Sequence, residues 1–488
     1  MVELSAKGKK IQLLLGVKVA LIILAILVLI PLLTKHPKTQ LDLIQKRGFI
    51  NFLTLNSATS FYQDTTGANG FEYQLALLFA DFIKVKARFI TVAHFSDLYP
   101  ELLFGTGEIA AASLSPLDSD LTQSVNFGPT YHQVDQQLLY RKGNVKRPRK
   151  ITDLENVVIE VISGSSHAEL LKELQLNQPD LSWHENEDIG AEELIELVDE
   201  GLIDYILADS HEISLQRRFF PELRVAFELG PQKQLRWAFN LSEDDSLKLA
   251  IKAFFTDVKQ DGRLDQLIDR YFSHVAKFNY SDLQTFSTKV SDLLPKYQEK
   301  FQQEAKTNNL DWRLLAAIGY QESLWNAKAK SPTGVRGLMM LTQTTAKQMK
   351  VKNRLDPDQS IQGGAKYFAR VLKKIPQRIS QPDRNWFALA SYNIGFGHLE
   401  DARKLTIFNN GDADKWIDVK KNLPLLSKKK WYTGTKYGYA RGRESVTYVE
   451  NIRKYYDLLV WRDNKNNGVS NDLSNQNPFS DSQLSPSL

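Results

Sequence analysis

The pattern of predicted secondary structure changes near residue 275, and this change constrains the fold more than any other feature of the chain. Before it, β-rich runs alternate with amphipathic helical stretches, which indicates a two-lobed α/β domain with mostly parallel sheets. After it, from about 285 to 462, the apolar spacing is helical throughout. The strands are predicted at 49–55, 87–93, 156–163, 202–208 and 223–229, with a helix at 70–86. We therefore predict a multi-domain protein with an α/β domain followed by a mainly α domain.

The N-terminal segment predicts export from the cytoplasm. A basic cluster in 1–10 precedes an apolar run, of which the uninterrupted part, 19–33, is shorter than the ~20 residues of a full membrane span. Including the stretch before Lys18 makes the length sufficient, because a lysine can snorkel towards the basic side. The sequence "TKHPKTQ" that follows has no clear small-residue cleavage site. We predict a signal sequence or membrane anchor at 1–35, with the rest of the chain outside the cytoplasm.

Composition indicates two further boundaries. The basic stretch "RKGNVKRPRK" at 141–150 lies near the middle of the α/β region and suits a crossing between its lobes. The C-terminal stretch from Asp463 has almost no apolar content, which is typical of a disordered tail. We predict an α/β domain at 36–275, a helical domain at 276–462 and a tail at 463–488.

Composition also excludes several kinds of site. The chain has 0 cysteines, so it has no disulfide, catalytic thiol or acylated-cysteine anchor. A net charge of +5 over 488 residues does not indicate a nucleic-acid partner. The 8 histidines lack metal-ligand spacing, and no phosphate-binding or dinucleotide motif occurs. We expect no metal and no cofactor.

One acidic residue stands out in the helical region. In "LDWRLLAAIGYQESLWN", Glu322 shares a predicted helical face with Leu315, Ile318 and Trp325. Burial disfavours the charged form of a carboxyl group and raises its pKa. Spacing alone leaves two interpretations open, a buried structural ion pair or a catalytic acid.

The first domain resembles the family 3 extracellular solute-binding proteins, which hold amino acids between two lobes. The resemblance is carried by "GFEYQLALLFADFI", "GEIAAASLSP" and "VNFGPTYHQVDQQLLYR". It implies a periplasmic-binding-protein-like fold without catalytic function. The family's arginine, which pairs with the ligand carboxylate, is replaced here by Leu121. Leucine cannot make that bidentate contact, so we expect either a muropeptide or amino-acid-like ligand bound in another way, or a domain that serves as a positioning module.

The second domain resembles the lytic transglycosylases with a goose-lysozyme-like fold. Five ordered pieces carry the resemblance, namely "ES" at 322–323, "SPTGVRGLM" at 331–339, "IQGGAKYF" at 361–368, "SYN" at 391–393 and "GRESVTYVENI" at 442–452. The resemblance implies that Glu322 is the catalytic acid. One departure is Met340, where the family usually has glutamine. The residues implied to contact substrate are Ser331, Thr333, Met339, Tyr392, Asn393 and Tyr448.

The implied reaction is non-hydrolytic cleavage of the β-1,4 bond between N-acetylmuramic acid and N-acetylglucosamine in peptidoglycan. Glycosidases commonly need a second carboxylate, and the resemblance assigns that role to no residue of the matched motifs. The resemblance instead implies that Glu322 first donates a proton and then removes one from the sugar's own C6 hydroxyl, which leaves a 1,6-anhydro end. For Ser331 and Thr333 the alternative is loop capping, and for Tyr448 it is core packing.

Two other functions compete with this one. A lysozyme-like hydrolase would use similar residues, and a ligand-sensing protein could carry a vestigial lytic domain. The intact "ES" and "SYN" motifs argue against the second. The resemblance implies peptidoglycan strands as partner and a peripheral location on the periplasmic side of the outer membrane, whereas the apolar N-terminal segment favours an inner-membrane anchor facing the periplasm.

Overall fold

The computed structural model describes residues 38–466 except for 65–66, 117–123, 156, 218, 274–279 and 332–333. The predicted anchor at 1–35 and Leu121 therefore lie outside the described residues. Within the described part, no helix has both the length and the apolar content to cross a membrane.

The first domain has two lobes, each built on a five-stranded sheet. The strand order is β4-β1-β5-β12-β6 in the first lobe and β11-β7-β10-β8-β9 in the second. The strands are β1 Phe49–Thr54, β2 Tyr62–Asp64, β3 Gly67–Asn69, β4 Lys86–Thr91, β5 Ile109–Ala110, β6 Val125–Phe127, β7 His132–Arg141, β8 Val158–Ile162, β9 Ser182–Asn186, β10 Tyr205–Asp209, β11 Leu223–Leu235 and β12 Ala238–Asn240. The helices are α1 Gln40–Arg47, α2 Phe71–Phe82, α3 Leu98–Phe104, α4 Ser166–Gln175, α5 Ala191–Glu200, α6 Ser210–Arg217, α7 Ser246–Gln260 and α8 Arg263–Ile268.

The α/β architecture and all five predicted strands are present, but two details differ from the sequence-based expectation. Both sheets are mixed rather than mostly parallel, because β12 runs antiparallel to its two neighbours and β7 does the same in the other lobe. The chain crosses between lobes after β6 and after β11, so the basic stretch at 141–150 follows β7 within the second lobe and is not the crossing.

The second domain is helical, as predicted. Its helices are α9 Tyr280–Asp292, α10 Gln298–Asn308, α11 Trp312–Ser323, α12 Gln343–Gln348, α13 Pro357–Lys374, α14 Asp383–Ile394, α15 Phe396–Phe408, α16 Trp416–Asn422, α17 Lys429–Tyr432 and α18 Gly442–Asn466. A continuous core includes Leu315, Ile318, Phe368, Leu389 and Val449, which come from α11, α13, α14 and α18. Helix α18 runs to Asn466, so the predicted tail begins later than 463, and 467–488 lie outside the described residues.

A buried ionic cluster joins the two domains. The guanidinium of Arg453 on α18 is 1 % exposed and lies 3.3 Å from the carboxylate of Asp269, which follows α8. Lys420 also pairs with Asp269. Burial by itself would raise the pKa of Asp269, but Arg453 and Lys420 hold it below its usual value. Nearby, Phe219 of the second lobe stacks on Trp461 of α18 at 4.6 Å between ring centroids.

We predict that Asp269→Asn destabilises the protein by about 3 kcal/mol, because it removes the nearer carboxylate from the buried Arg453 cation and leaves Glu450, 3.5 Å away, to balance both Arg453 and Lys420. Chemical denaturation followed by tryptophan fluorescence measures the change. The control is Asp245→Asn, which removes an exposed pair with Lys248 and should cost less than about 0.5 kcal/mol. Equal stabilities of the two variants would contradict this prediction.

Candidate active site

Glu322 lies in the last turn of α11, where the helix meets a groove. The helix begins at Asp311, whose carboxylate accepts a hydrogen bond from the Arg313 backbone N–H at 2.8 Å. Residues 314–320 are all buried, whereas Glu322 is partly exposed. The apolar helix therefore carries the carboxyl group from the core to the edge of the domain.

The helix ends at Ser323, before it reaches Trp325, the last residue of the predicted helical face. Leu324 and Trp325 both adopt left-handed backbone conformations, with φ of 53° and 57°. Such conformations cost roughly 1–2 kcal/mol for residues other than glycine. Trp325 is buried and its indole N–H donates to the Ala316 carbonyl at 2.9 Å, which helps to hold this turn. Trp325 was predicted on the helical face with Glu322, but it reaches the core by a reversal of the chain instead.

Burial sets the protonation of Glu322. Desolvation raises its pKa to about 7, against the opposing effect of a hydrogen bond from the Tyr448 hydroxyl, 2.6 Å from the carboxylate. A carboxylate at a helix C-terminus also faces the negative end of the helix dipole, which disfavours its charge further. The group can therefore be protonated or ionised near neutral pH.

Two tyrosines surround the acid. Burial and the nearby Glu322 charge raise the pKa of both Tyr392 and Tyr448 well above 10, so both hydroxyls stay protonated. The Tyr392 hydroxyl donates to the Met339 carbonyl at 3.4 Å. The structure thus brings Glu322, Tyr392 and Tyr448 together, although Tyr448 is 126 positions away from Glu322 along the chain.

The "GLM" turn is attached to the end of α11. The Ser323 hydroxyl donates to the Leu338 carbonyl at 2.7 Å. Gly337 has φ of 84°, and a side-chain carbon at this position would lie 1.7 Å from the Arg354 carbonyl oxygen, so only glycine fits. Met339 is fully buried, and its backbone N–H donates to the Ser360 hydroxyl. It can therefore meet substrate through its backbone carbonyl and not through its side chain.

Three further residues were predicted to contact substrate, and their positions relative to the groove differ. Asn393 is exposed and lines the groove. The Ser331 hydroxyl accepts a hydrogen bond from the Val335 backbone N–H at 3.2 Å, which is the loop-capping arrangement. Thr333 lies outside the described residues. The role of each residue in binding substrate stays a prediction.

The groove beside the acid has a volume of about 570 Å³ and is wide open. Of the residues in its wall, the sequence motifs predicted only Asn393 and Tyr448 as substrate contacts. The lining residues are Gln321, Asn393, Ser427, Tyr439, Arg441, Arg443, Glu444, Thr447 and Tyr448. A run of basic residues on both sides of the aromatic stretch "WYTGTKYGY" at 431–439 was the available signal for the arginines. Among the described residues, no group of three or more His, Asp or Glu is arranged to hold a metal ion.

A second cavity, of about 160 Å³, lies between the lobes of the first domain. Its wall includes Glu187, Glu192, Asp209 and Glu212, and none of the lining residues that the structure describes is lysine or arginine. The Glu192 carboxylate in the second lobe accepts a hydrogen bond from the Ala58 N–H in the first, at 2.5 Å. Asp209 pairs with His167 at 3.0 Å. Burial, with a smaller contribution from Asp209, raises the pKa of Glu212 to about 8.

Comparisons with known proteins agree with both halves of this description. Residues 52–274 match the model for bacterial extracellular solute-binding proteins, family 3, and residues 299–415 match the model for the transglycosylase SLT domain. A protein of Pseudoalteromonas translucida, named membrane-bound lytic murein transglycosylase F, is 45% identical over 92% of this chain and 94% of its own length. The chain belongs to this family.

Further relatives carry the same name. The protein of Pseudomonas fluorescens is 44% identical over 90% of this chain and 90% of its own length. That of Pseudomonas syringae pv. tomato is 46% identical over 87% of this chain and 85% of its own. Membership of this family confirms the two resemblances inferred from the motifs, to the family 3 solute-binding proteins and to the lytic transglycosylases.

We predict that Tyr448→Phe shifts the alkaline limb of the pH–activity profile to higher pH. The Tyr448 hydrogen bond favours the ionised form of Glu322, so its loss raises the pKa of Glu322 above about 7 and keeps the acid protonated at higher pH. The measurement is kcat/KM on peptidoglycan between pH 5 and 9.

The matched control is Tyr456→Phe, which removes a partly buried hydroxyl bonded to Asp311 at 2.8 Å, away from the groove. Its profile should keep the wild-type midpoint. A Tyr448→Phe limb that stays in place or moves to lower pH would refute the assignment of Glu322 as the group that titrates.

Proposed function

We propose that this protein cleaves the β-1,4 bond between N-acetylmuramic acid and N-acetylglucosamine in peptidoglycan as a lytic transglycosylase, in cell-wall turnover and remodelling. The observation that carries the proposal is the partly exposed Glu322, with a pKa of about 7, held by Tyr448 at the edge of an open groove. Membership of a family whose relatives are named lytic murein transglycosylases supports it.

The first half of the reaction needs an acid. Protonated Glu322 gives its proton to the glycosidic oxygen as the bond to C1 of the muramic sugar breaks. The departing sugar thereby leaves as a neutral hydroxyl. The N-acetyl group of the muramic sugar stabilises the positive charge that develops at C1. Both tyrosine hydroxyls remain protonated throughout, so Tyr448 can stabilise the new carboxylate by its hydrogen bond.

The second half needs a base, and the same residue supplies it. Ionised Glu322 takes the proton of the C6 hydroxyl while that oxygen bonds to C1, which closes the 1,6-anhydro ring and regenerates the acid. A pKa near 7 suits both steps, because neither form is strongly disfavoured at neutral pH. The reaction consumes no water molecule.

A lysozyme-like hydrolase is the second candidate function, because Glu444 is a further carboxylate in the groove wall. Its side chain is 67% exposed and pairs with Arg441. A hydrolase that used Glu444 as its base or nucleophile would lose turnover in Glu444→Gln. The lyase does not need this carboxylate.

We expect Glu322→Gln to lower turnover by at least ~10²-fold, since it removes the only group assigned to proton transfer. Mass spectrometry of digested peptidoglycan should show ends lighter by one water than reducing ends in the wild type. Glu444→Gln is the matched control and should retain the anhydro products. Reducing ends alone, or a Glu322→Gln variant with undiminished turnover, would rule out this mechanism.

The first domain has a separate role in the proposal. It binds a muropeptide or amino-acid-like ligand between its lobes, and the acidic cleft favours a ligand with a free amino group. Among the described lining residues, the four acidic groups outnumber the two histidines, so the cleft attracts a cation more than a ligand carboxylate. Asp209 is the most buried of these acids, at 6% exposure, and is the expected partner of the amine.

We predict that the full-length protein binds a muropeptide with a free amine at least ~10-fold more tightly than the N-acetylated form, because an interfacial charge pair is lost on acetylation. Isothermal titration calorimetry measures both affinities. Asp209→Asn should reduce the difference, whereas Asp188→Asn, an exposed residue outside the cleft, should not. Equal affinity for the two ligands would contradict the prediction.

The last part of the proposal concerns the domain bounds and the cellular location of the protein. We assign the binding domain to 36–275 and the lytic domain to the residues from 276 to the end of α18 at Asn466. The relatives' name supports association with a membrane, and we place the protein on the periplasmic side of the outer membrane, with an inner-membrane anchor through 1–35 as the alternative. Membrane fractionation and N-terminal sequencing of the mature protein distinguish these locations.

A further inference from the structure

A basic segment borders the groove of the lytic domain. Between residues 428 and 443 the chain carries six cations and no acidic residue. All six side chains belong to exposed residues. They are Lys428, Lys429, Lys430, Lys436, Arg441 and Arg443. The sequence draws attention to this segment for its aromatic residues, but the proposed cleavage reaction makes no use of its charge.

Backbone contacts hold the segment in place. The Ala440 N–H donates to the Leu426 carbonyl at 3.0 Å. At Gly442 a side-chain carbon would lie 1.8 Å from the Leu423 carbonyl oxygen, so the chain passes directly against the preceding turn. The carboxylate of Asp401, which is 1% exposed, accepts the Tyr437 N–H at 2.7 Å. The cations are therefore presented by an anchored backbone.

Two of the cations face the substrate groove. Arg441 and Arg443 line the same cavity as Tyr448, whose hydroxyl holds Glu322. Arg441 lies 3.5 Å from Glu444, but both side chains are about two-thirds exposed, so this pair is weak. In the part of the chain that the structure describes, Arg443 makes no ion pair. Both guanidinium groups can thus bind an anion that lies along the groove.

The substrate supplies such an anion. In peptidoglycan, each muramic sugar carries a peptide on its lactyl group, and this peptide bears free carboxylates, whereas the sugar rings are uncharged. A ring bound next to Glu322 lies at the edge of this groove, because Tyr448 both lines the groove and holds Glu322. Guanidinium groups bind carboxylates through two parallel hydrogen bonds.

We propose that Arg441 and Arg443 bind the carboxylates of the peptide on the muramic sugar, and so make the enzyme selective for strands with anionic peptides. This inference rests on the proposed function, since it concerns the same groove. It assigns the two arginines to substrate selection and leaves the proton transfers to Glu322.

The test compares two peptidoglycan substrates that differ only in charge, one with free peptide carboxylates and one with these groups converted to amides. The readout is kcat/KM for anhydro ends on each substrate. The wild type should prefer the carboxylate form, and Arg441→Gln/Arg443→Gln should lower this preference about five-fold, as expected for two partly exposed charge pairs. Arg441→Lys/Arg443→Lys should retain part of it.

The control is Lys347→Gln/Lys352→Gln, which removes the same charge from exposed positions of the lytic domain outside the groove and should keep the wild-type preference. An equal loss on both substrates, or a wild type that does not distinguish them, would overturn the proposal. Anhydro ends from both substrates would still uphold the cleavage reaction itself.

An anionic membrane is the other surface that could attract these cations. Binding of the wild type and the arginine variant to phosphatidylglycerol vesicles is therefore measured in parallel. If the variant loses vesicle binding while its substrate preference is unchanged, the segment contacts lipid and the proposal fails. Unchanged vesicle binding together with a lost preference supports it.

Discussion

The lytic domain depends on a carboxyl group that its fold keeps partly out of water. Burial raises the pKa of Glu322 above the ordinary value of an exposed carboxyl group. The Tyr448 hydrogen bond opposes the desolvation, and the balance between the two leaves a pKa of about 7. The residues that create this balance come from opposite ends of the domain, so the chemistry requires α11 and α18 to pack in one arrangement.

The same helix, α18, links that chemistry to the first domain. Tyr448 lies near its beginning, Arg453 binds Asp269 one to two turns later, and Trp461 stacks on Phe219 of the second lobe. Helix α18 therefore contacts both the acid and the binding domain. The acidic cleft between the lobes and the proton-transfer site are therefore parts of one connected structure.

Much of the fold was predictable from the spacing of apolar residues in the sequence. The alternation before residue 275 predicted the α/β architecture and located all five named strands, because a strand's length and side-chain alternation are local properties. The same patterns could not determine strand direction. The chain crosses twice between the lobes, and both sheets are mixed. The local periodicity of a strand does not indicate which strand it will pair with, or in which direction. The basic stretch at 141–150 was misinterpreted for this reason.

For the site, sequence by itself determined that Glu322 ends an apolar helix, that the flanking motifs resemble those of lytic transglycosylases, and that thiol chemistry is excluded. Only the tertiary structure decided that Tyr448 donates to that carboxyl group, that Trp325 enters the core through a left-handed turn, and that Arg441 and Arg443 share the groove. The physical reason is distance along the chain. Helical periodicity arises from contacts over three or four residues, whereas a pKa depends on every group that replaces water around the acid, however remote in sequence.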